Sequence, residues 1–295
     1  MKHFYIITNE QKDEGRRLTG QIEAYIRKKG GNCAHSGNVG GEQDLRGTAE
    51  KAGQDLRDTA EAIPPETECV LCVGGDGTLI RAARDLVERQ IPVLGINQGH
   101  VGYLCELDRD SVFPAIDSLM QDNYMVEERM MLTGYCVAGG QSSSPCLALN
   151  DIVIHRSGFS QMLNLVIYVN GEYLYTYSAD GIILATPTGS TAYSMSAGGP
   201  IVEPRAELLL VTPISPHSLN AKSIVLDAED EIAVEIASRR TEIDEEAEVN
   251  FDGDQIFRLG VGDRIVVQRS KMHTRILKLN KLSFLEILRK KMQGD

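Results

Sequence analysis

A glycine-rich turn between two apolar segments constrains the fold of this chain more than any other feature. The turn, Gly74-Gly-Asp-Gly-Thr78, follows a short apolar run at residues 69–73 and precedes residues 79–87, whose apolar positions have helical spacing. A strand, a tight turn and a helix in this order are typical of an α/β domain. The sequence therefore predicts a strand that ends at the turn and a helix that begins just after it.

The carboxylate of Asp76 is the unexpected group in this turn. The N-terminus of a helix attracts anions through its free backbone N–H groups and its dipole, and glycines let a phosphate approach the backbone without obstruction by a Cβ atom. A negative side chain helps such a site only if it holds a metal ion or takes a proton. We therefore interpret the turn as a site of phosphoryl transfer. The alternative is that Asp76 and Gly77 form an ordinary turn and that Thr78 caps the helix.

The length and composition describe a globular chain. With 295 residues, 42% of them hydrophobic, the chain is long enough for two domains with substantial cores. The net charge of −12 argues against nucleic acid as a partner. The first apolar run, within residues 1–8, is too short for a signal sequence or a membrane span. The six cysteines lack the spacing of a disulfide framework, so we expect reduced thiols, a cytoplasmic location and no contact with a membrane.

Two patterns divide the chain. Up to about residue 130, short apolar runs alternate with helical stretches such as residues 18–29, which predicts a parallel sheet covered by helices. After it, the apolar residues follow a period of two, with turn signals at Asn170-Gly171 and Asp252-Gly253. This second pattern predicts an antiparallel sandwich or barrel-like sheet.

Two further segments have distinctive compositions. Residues 36–65 are polar and rich in glycine and charge, and we interpret them as a loop with one exposed helix at residues 44–62. Residues 283–292 return to helical spacing and end in basic residues, which suit the C-terminus of a helix.

Two polar clusters interrupt the apolar pattern of the second half. Asn150 and Asp151 lie between two apolar runs, where their side chains need hydrogen-bond partners such as a ribose diol. An Asx turn or a helix cap is the alternative for this pair. Residues 180–200 are dense in hydroxyls, glycines and prolines, and we expect a loop and a helix starting near Ser190 that present hydroxyl and N–H groups to a ligand. The alternative is a loop that ends in a Ser/Thr cap.

Taken together, these segments resemble the NAD kinases. The motifs that carry the resemblance occur in the family's order within residues 69–260, and the one at 180–193 is the most specific. They are Gly74-Gly-Asp-Gly-Thr78, Gly95-Ile-Asn-Gln-Gly-His-Val-Gly-Tyr103, Leu149-Asn-Asp151, Asp180-Gly181 with Thr186-Pro-Thr-Gly-Ser-Thr-Ala-Tyr193, and Pro213-Ile-Ser-Pro-His-Ser-Leu219. The glycine turn alone is shared with lipid kinases and, more distantly, with phosphofructokinases.

The resemblance implies a reaction and a set of site residues. The γ-phosphoryl group of ATP, bound with Mg²⁺ or another divalent metal, is transferred to the 2′-hydroxyl of the adenosine ribose of NAD. Asp76 would orient this hydroxyl and accept its proton, and no residue is assigned as a metal ligand. The residues that match substrate-binding positions are Gly75 and Gly77 at the phosphates, Tyr103 beside the substrate, Asn150 and Asp151 at the ribose, Asp180 at the nicotinamide end, and Thr191, Ala192, Tyr193 and Ser196 in the NAD pocket.

The resemblance also implies an architecture. It consists of a Rossmann-like α/β domain at residues 1–129 with 272–295, whose tail helix packs back on it, and a β-rich NAD-binding domain at residues 130–271. Proteins of this family are homodimers or homotetramers, which is the assembly expected here.

The chain departs from the family's usual residues at three positions. It has Asp151 where Glu is common, Tyr103 where Phe is usual and Lys222 where Arg is common, and Lys cannot form the bidentate contact of Arg. Two other functions remain as alternatives. A lipid kinase of the diacylglycerol or sphingosine type would lack the segment at residues 186–193. A dinucleotide-binding regulator without turnover would not need Asp76.

Overall fold

The structure, a computed structural model, describes residues 1–35, 62–98, 102–157, 162–238, 246–279 and 282–293. The chain forms two compact units, one of Met1–Glu128 with Thr274–Asp295 and the other of Arg129–His273. The helix expected at residues 44–62 falls almost wholly outside the described residues. No helix in the described part of the chain is long and apolar enough to cross a membrane.

A parallel sheet forms the centre of the first unit. Its strands are β1 (His3–Thr8), β2 (Asn32–His35), β3 (Cys69–Gly74) and β4 (Val93–Asn97). They pair in the order β4–β3–β1–β2. Every residue of β3 and β4 is buried, as expected for central strands of a parallel sheet. Because the strands run in the same direction, the loops after β1, β3 and β4 leave from one edge, where α/β proteins bind their ligands.

In the described residues, α-helices that follow the strands of this sheet are α1 (Arg17–Lys28), α2 (Asp76–Asp85) and α3 (Val112–Met120). Helix α1 buries Leu18, Ile22 and Ile26, which are four residues apart and therefore share one face. These side chains join the apolar residues of the strands in one core. The helix predicted at residues 18–29 is thus confirmed.

The helix after the glycine turn is shorter than its sequence pattern suggests. Helix α2 ends at Asp85, and a separate 3₁₀ turn follows at Val87–Arg89. The backbone then leaves helical geometry at Gln90, whose φ is 52°.

Antiparallel strands form the second unit. They are β5 (Met125–Ala138), β6 (Gln141–Ser142), β7 (Cys146–Ala148), β8 (Asp151–Arg156), β9 (Leu163–Val169), β10 (Glu172–Ala179), β11 (Gly181–Ala185), β12 (Leu208–Ile214), β13 (Ile224–Asp227), β14 (Ile232–Ala237), β15 (Ala247–Phe251), β16 (Asp254–Leu259) and β17 (Arg264–Lys278). The first part of β5 and the last part of β17 belong to the first unit. One sheet has the order β13–β12–β11–β8–β15–β16. The other contains β10–β9–β14–β17, with β5 on β17 and with β6 and β7 on β5.

The two sheets of the second unit share one apolar core. Alternating residues of both sheets enter it, among them Ile154, Ile167, Ile182 and Val234, which is the packing of a β-sandwich. The predicted fold class, an α/β domain followed by an antiparallel sandwich, is therefore confirmed.

Both predicted hairpin turns are present in the sandwich. Asn170 and Gly171, with φ of 51° and 80°, join β9 to β10. Asp252 and Gly253, with φ of 52° and 78°, join β15 to β16. A positive φ at both central residues is the geometry that Asn-Gly and Asp-Gly pairs favour.

The chain ends in the first unit. The last part of β17 reaches the parallel sheet, where Ile276 pairs with Val93. The second unit contains the short helix α4 (Tyr193–Ser196). The last helix of the described residues, α5 (Phe284–Gln293), belongs to the first unit. Its start is a capping box, in which Ser283 N–H donates to the Glu286 carboxylate and Glu286 N–H donates to Ser283 Oγ. The tail helix predicted from the spacing is confirmed.

Candidate active site

The glycine turn leads directly into helix α2. Gly75 is the residue before the helix and Asp76 is its first residue. The alternative in which Asp76 and Gly77 form an ordinary turn and Thr78 caps the helix is therefore wrong, because all three residues lie within the helix. The first N–H groups of an α-helix have no partner within the helix, and an acidic residue in its first turn is favoured by the helix dipole. The turn thus combines anion-binding N–H groups with a carboxylate.

The three glycines of the turn have different surroundings. A Cβ atom at Gly74 would collide with the side chain of Thr78, and one at Gly75 would collide with the ammonium group of Lys12. A Cβ atom at Gly77 would meet nothing within 4 Å. Gly74 is therefore required by a close contact within the protein, a Cβ atom at Gly75 would displace only the end of the flexible Lys12 side chain, and the space beside Gly77 is open to a ligand.

Three consecutive backbone N–H groups hold the Asp76 carboxylate. Tyr103 N–H donates to Oδ2 at 2.8 Å, Cys105 N–H donates to Oδ1 at 2.9 Å, and Leu104 N–H lies 3.4 Å from Oδ2. These donors belong to the loop that follows β4. A Cβ atom at Gly102 would collide with the carboxylate, so the loop approaches it closely only because residue 102 is glycine.

This arrangement leaves the Asp76 carboxylate able to accept another hydrogen bond. A carboxylate offers about four lone-pair positions; the N–H groups of Tyr103 and Cys105 use two of them at short distance, and the Leu104 N–H and the Cys105 thiol are weaker donors. Within the described ranges Asp76 takes part in no ion pair, and its side chain is half-buried. Burial, with the neighbouring Asp76 carboxylate as a second cause, raises the pKa of the Cys105 thiol. The thiol therefore stays neutral beside this site.

Lys12 brings a positive charge to the same edge of the first unit. It lies in the loop after β1, is exposed, and places its ammonium group against Gly75. In the described part of the chain this group has no carboxylate partner. The loop is anchored by buried Asp13, whose carboxylate accepts the N–H groups of Leu18 and Thr19. Nothing in the local sequence of Lys12 marks it as a residue of the site.

The ring of Tyr103 contacts the tail helix. The ammonium group of Lys291 in α5 lies 5.9 Å from the ring centroid, within the range of a cation–π contact. The tail is also tied to the loop after β4, because Leu279 N–H donates to Glu106 at 3.1 Å. The basic end of α5 therefore contacts a residue matched to substrate binding.

A cavity of about 650 Å³ lies in the second unit. Five of the residues singled out from the sequence line it, namely Asn150, Asp151, Asp180, Ala192 and Tyr193. Two others from that set, Thr191 and Ser196, do not: the Thr191 hydroxyl donates to the Thr188 carbonyl, and Ser196 is the exposed last residue of α4. Gly75, Gly77, Asp76 and Tyr103 belong to the first unit.

Asn150 and Asp151 stand at the wall of this cavity. Asp151 begins β8, so the pair forms neither a helix cap nor an isolated turn. The side-chain oxygen of Asn150 is buried and has no hydrogen-bond partner in the described ranges. Asp151 is only 5% exposed, and burial together with the charge of Asp252 raises the pKa of Asp151 to about 7. Both side chains have polar capacity that a ligand could satisfy.

Charged and polar groups also line the other parts of the cavity. Arg156 forms an ion pair with Asp180, with 2.9 Å between Nε and Oδ1. His155 Nδ1 lies 2.9 Å from the Arg156 carbonyl, and its Nε2 lies 2.8 Å from the amide nitrogen of Asn250. Because the carbonyl can only accept, these contacts assign the His155 proton to Nδ1. Arg156, His155 and Asn250 were not identified from the sequence, since the pairing of β8 with β11 and β15 brings them to the cavity.

The hydroxyl-rich segment after Asp180 corrects one expectation. A 3₁₀ turn at Gly189–Thr191 and the four-residue helix α4 replace the helix expected from Ser190. The Ser190 hydroxyl donates to the Pro187 carbonyl and accepts Val202 N–H, and the Ser194 hydroxyl lies 3.0 Å from that of Thr212. The prediction that this segment presents its hydroxyls to a ligand is wrong for these two serines, which are fully buried.

The glycine turn is also a candidate place for a metal ion that binds with a nucleotide. In the described ranges, no group of three or more His, Cys, Asp or Glu side chains could hold a metal ion. At the glycine turn a single carboxylate, Asp76, is available. Mg²⁺ in nucleotide sites takes one or two carboxylates and completes its shell with phosphate oxygens and water. The residues present therefore fit a Mg²⁺ ion that arrives with a nucleotide.

Comparison with protein families gives a consistent result over both units. Residues 4–124 match the ATP-NAD kinase N-terminal domain, and residues 149–279 match the ATP-NAD kinase C-terminal domain. A protein named NAD kinase from Agathobacter rectalis is 53% identical to this chain over 292 residues, covering 99% of each. A second NAD kinase, from Lachnospira eligens, is 43% identical over 301 residues, covering 99% of this chain and all of the relative.

Solved structures show the same fold. The yeast NADH kinase complexed with NADH superposes with a TM-score of 0.84 at 24% identity, covering all of this chain and 88% of that one. An NAD kinase from Archaeoglobus fulgidus in complex with ATP superposes with a TM-score of 0.74 at 24% identity, covering 99% of both.

Proposed function

This chain belongs to the NAD kinase family, and on that premise we propose how its own residues phosphorylate NAD with ATP. The phosphoryl acceptor is the 2′-hydroxyl of the adenosine ribose, and the product is NADP. In this proposal the first unit provides the phosphoryl-transfer residues and the second unit provides the dinucleotide pocket. The observation that carries the proposal is the carboxylate of Asp76, the first residue of α2, which is held by the backbone N–H groups of residues 103–105.

Asp76 acts as the base. The carboxylate accepts the hydrogen bond of the ribose hydroxyl and then its proton. The new bond forms between the ribose oxygen and the γ-phosphorus, while the bond from that phosphorus to its bridging oxygen breaks and ADP leaves. The N–H groups support this role because a carboxylate fixed before the reaction needs no reorganisation during it.

ATP is taken as its Mg²⁺ complex, in which the metal ion neutralises phosphate charge. Gly77 supports this binding, since the space beside it is open, and Gly75 supports it by allowing the ammonium group of Lys12 to approach the turn. Lys12 contributes a positive charge at the edge where the helix N–H groups attract phosphate. Tyr103, in the loop that holds Asp76, lies beside the substrate.

The cavity of the second unit binds NAD. Asn150 and Asp151 accept hydrogen bonds from a ribose, which satisfies the buried oxygen of Asn150. Asp180, with its ion pair to Arg156, stands at the nicotinamide end, and Ala192 and Tyr193 form an apolar wall. Thr191 and Ser196 stay predictions of the family resemblance, because the cavity lining does not include them.

The state of the cysteines supports a cytoplasmic location. All six cysteines are free thiols, the state that a reducing cytoplasm maintains. We propose that the enzyme works there as a homodimer or homotetramer, as the family resemblance implies. Light scattering during size-exclusion chromatography measures this, and a monomer at all concentrations would contradict it.

A turnover assay tests the proposed function. The purified full chain is incubated with MgATP and either NAD or diacylglycerol in mixed micelles, and NADP and phosphorylated lipid are quantified. The expected result is NADP far in excess of the enzyme concentration. Phosphorylated lipid would instead support the lipid kinase, and NAD binding without turnover would support a regulator.

A further inference from the structure

The hairpin turn between β15 and β16 forms a second carboxylate contact with backbone N–H groups. Asp252 accepts the N–H groups of Leu149, Asn150 and Asp151 at 2.7, 2.8 and 3.1 Å. Its own N–H donates to the Asp151 carbonyl at 3.0 Å. Four hydrogen bonds therefore connect this turn to the residues that precede and begin β8, about a hundred positions earlier in the sequence.

The carbonyl side of the same segment is held by a different element. The Thr186 hydroxyl donates to the Leu149 carbonyl at 2.6 Å, and Thr186 N–H donates to the Asn150 carbonyl at 2.9 Å. A Cβ atom at Gly189 would collide with the backbone of Asn150. The backbone of residues 149–151 is thus fixed through its N–H groups by Asp252, through its carbonyls by Thr186, and by close contact with Gly189.

We propose that Asp252 and Thr186 are positioning residues for the dinucleotide substrate, because together they set the backbone from which Asn150 and Asp151 face the cavity. This inference rests on the proposed function. Neither residue needs to touch NAD for this role. Asp252 lines the cavity but directs its carboxylate to the three N–H groups, and Thr186 is fully buried.

The side chains that are positioned in this way depend on accurate placement. The Asn150 oxygen is buried without a partner in the described ranges, which costs free energy unless a ligand donates to it. Asp151 is 5% exposed, with Asp252 as the charged neighbour that affects its proton affinity. The other charged or titratable groups on the cavity wall are His155, Arg156, Asp180 and Tyr193. A change at Asp252 should therefore alter both the direction and the protonation of this pair.

The sandwich offers a matched control for the Asp252 test. Asp263 is also a carboxylate near a turn, and it accepts N–H groups from Gly139 at 3.1 Å and Gly260 at 2.9 Å. It does not line the cavity. The variants Asp252→Asn and Asp263→Asn each replace one acceptor oxygen by a donor that faces N–H groups. Both should lower the thermal stability to a similar extent, but only the first should affect NAD.

The experiment measures NAD affinity and steady-state kinetics of the full chain between pH 5.5 and 8.5. Asp252→Asn should raise the Kd for NAD about tenfold, as expected for the loss of one or two well-placed hydrogen bonds, with the KM for ATP unchanged. In the wild-type protein NAD should bind more tightly as pH rises through the titration of Asp151, because an ionised acceptor makes the stronger hydrogen bond. In Asp252→Asn this transition should move to lower pH, since a neighbouring negative charge has been removed.

A purely structural role for Asp252 would have a different signature. Equal losses of stability in Asp252→Asn and Asp263→Asn, with the NAD affinity and its pH midpoint unchanged in both, would overturn the inference. If Asp252→Asn does not fold, Thr186→Val tests the carbonyl side of the same segment and should also raise the Kd for NAD, whereas an unchanged Kd would contradict the proposal. Wild-type protein that neither binds nor phosphorylates NAD would instead contradict the proposed function.

Discussion

The carboxylates of Asp76 in the first unit and Asp252 in the second are held by the same kind of hydrogen bonds, but their neighbouring groups differ. Each carboxylate accepts three consecutive backbone N–H groups, from residues 103–105 in one case and residues 149–151 in the other. Asp76 begins a helix and shares its turn with the ammonium group of Lys12. Asp252 lies in a hairpin turn, and its charged neighbour is the buried carboxyl group of Asp151.

This difference indicates that the chemical role of a fixed carboxylate depends on the groups around it. At the helix N-terminus, positive potential attracts a phosphate, so in the proposed mechanism the fixed carboxylate is itself the reacting group. In the hairpin, negative charge acts on a second carboxyl group, so the fixed carboxylate tunes and positions its neighbour. The comparison predicts that changes near Asp252 appear in stability and binding, and that changes near Asp76 appear in catalysis.

The largest expected effect concerns the pH dependence of stability. Because burial and Asp252 raise the pKa of Asp151 to about 7, the folded protein keeps a proton there that the unfolded chain loses near pH 4. Stability therefore falls as pH rises toward 7, by about 2–3 kcal/mol between pH 5 and pH 8. Asp151→Asn should largely remove this decline, whereas Asp263→Asn should retain it. Urea denaturation across this range measures it, and parallel curves for wild type and Asp151→Asn would contradict the assigned charge pair.

Gly102→Ala tests whether catalysis depends on the position of the Asp76 carboxylate. The added Cβ atom must displace either the Asp76 carboxylate or the loop at residues 103–105. A displacement of this kind should lower kcat by about tenfold or more, because catalysis is sensitive to shifts of about 1 Å. Gly20→Ala is the matched control, since a Cβ atom at Gly20 meets nothing within 4 Å. Wild-type kcat in Gly102→Ala would show that the position of this carboxylate is unimportant.

Lys12→Ala tests the cation beside Asp76 and has the smallest expected effect. Loss of one exposed, charge-assisted contact to phosphate should raise the KM for ATP by about fivefold, with the KM for NAD unchanged. Lys12→Arg should preserve most of the affinity. The control is Lys28→Ala, because Lys28 is the last residue of α1, whereas Lys12 lies in the loop before that helix. If Lys12→Ala and Lys28→Ala have the same KM for ATP, Lys12 has no role at the phosphates.

Periodicity and turn chemistry were sufficient to predict a parallel and an antiparallel region, and they left a sandwich and a barrel open for the second. The change from helical spacing to a period of two separates the parallel sheet from the sandwich, and the pairs Asn170-Gly171 and Asp252-Gly253 form the hairpins that they indicate. These features are local, so a single sequence contains them. The point at which α2 gives way to a 3₁₀ turn has no comparable local signal.

The candidate site could be predicted only in part. Asp76 could be proposed from the sequence because a carboxylate is unexpected in an anion-binding turn, but the N–H groups that hold it lie 27 to 29 positions away. The partners of Asp252 lie about a hundred positions away, so its hairpin was predicted and its carboxylate contacts were not. Ser190 and Ser194 led to a wrong expectation because composition does not reveal that a hydroxyl is buried and bonded within the protein.

The central claim is that Asp76 accepts the proton of the ribose hydroxyl. The most direct measurement compares kcat and the Kd for NAD in Asp76→Asn and in Asp108→Asn, a control in the same unit whose carboxylate also accepts backbone N–H groups, from Asp110 and Ser111. Asp76→Asn should lower kcat by about 100-fold or more, the scale of a lost general base, while NAD binds as in the wild type and Asp108→Asn remains active. An Asp76→Asn enzyme with kcat close to that of the wild type would contradict the claim.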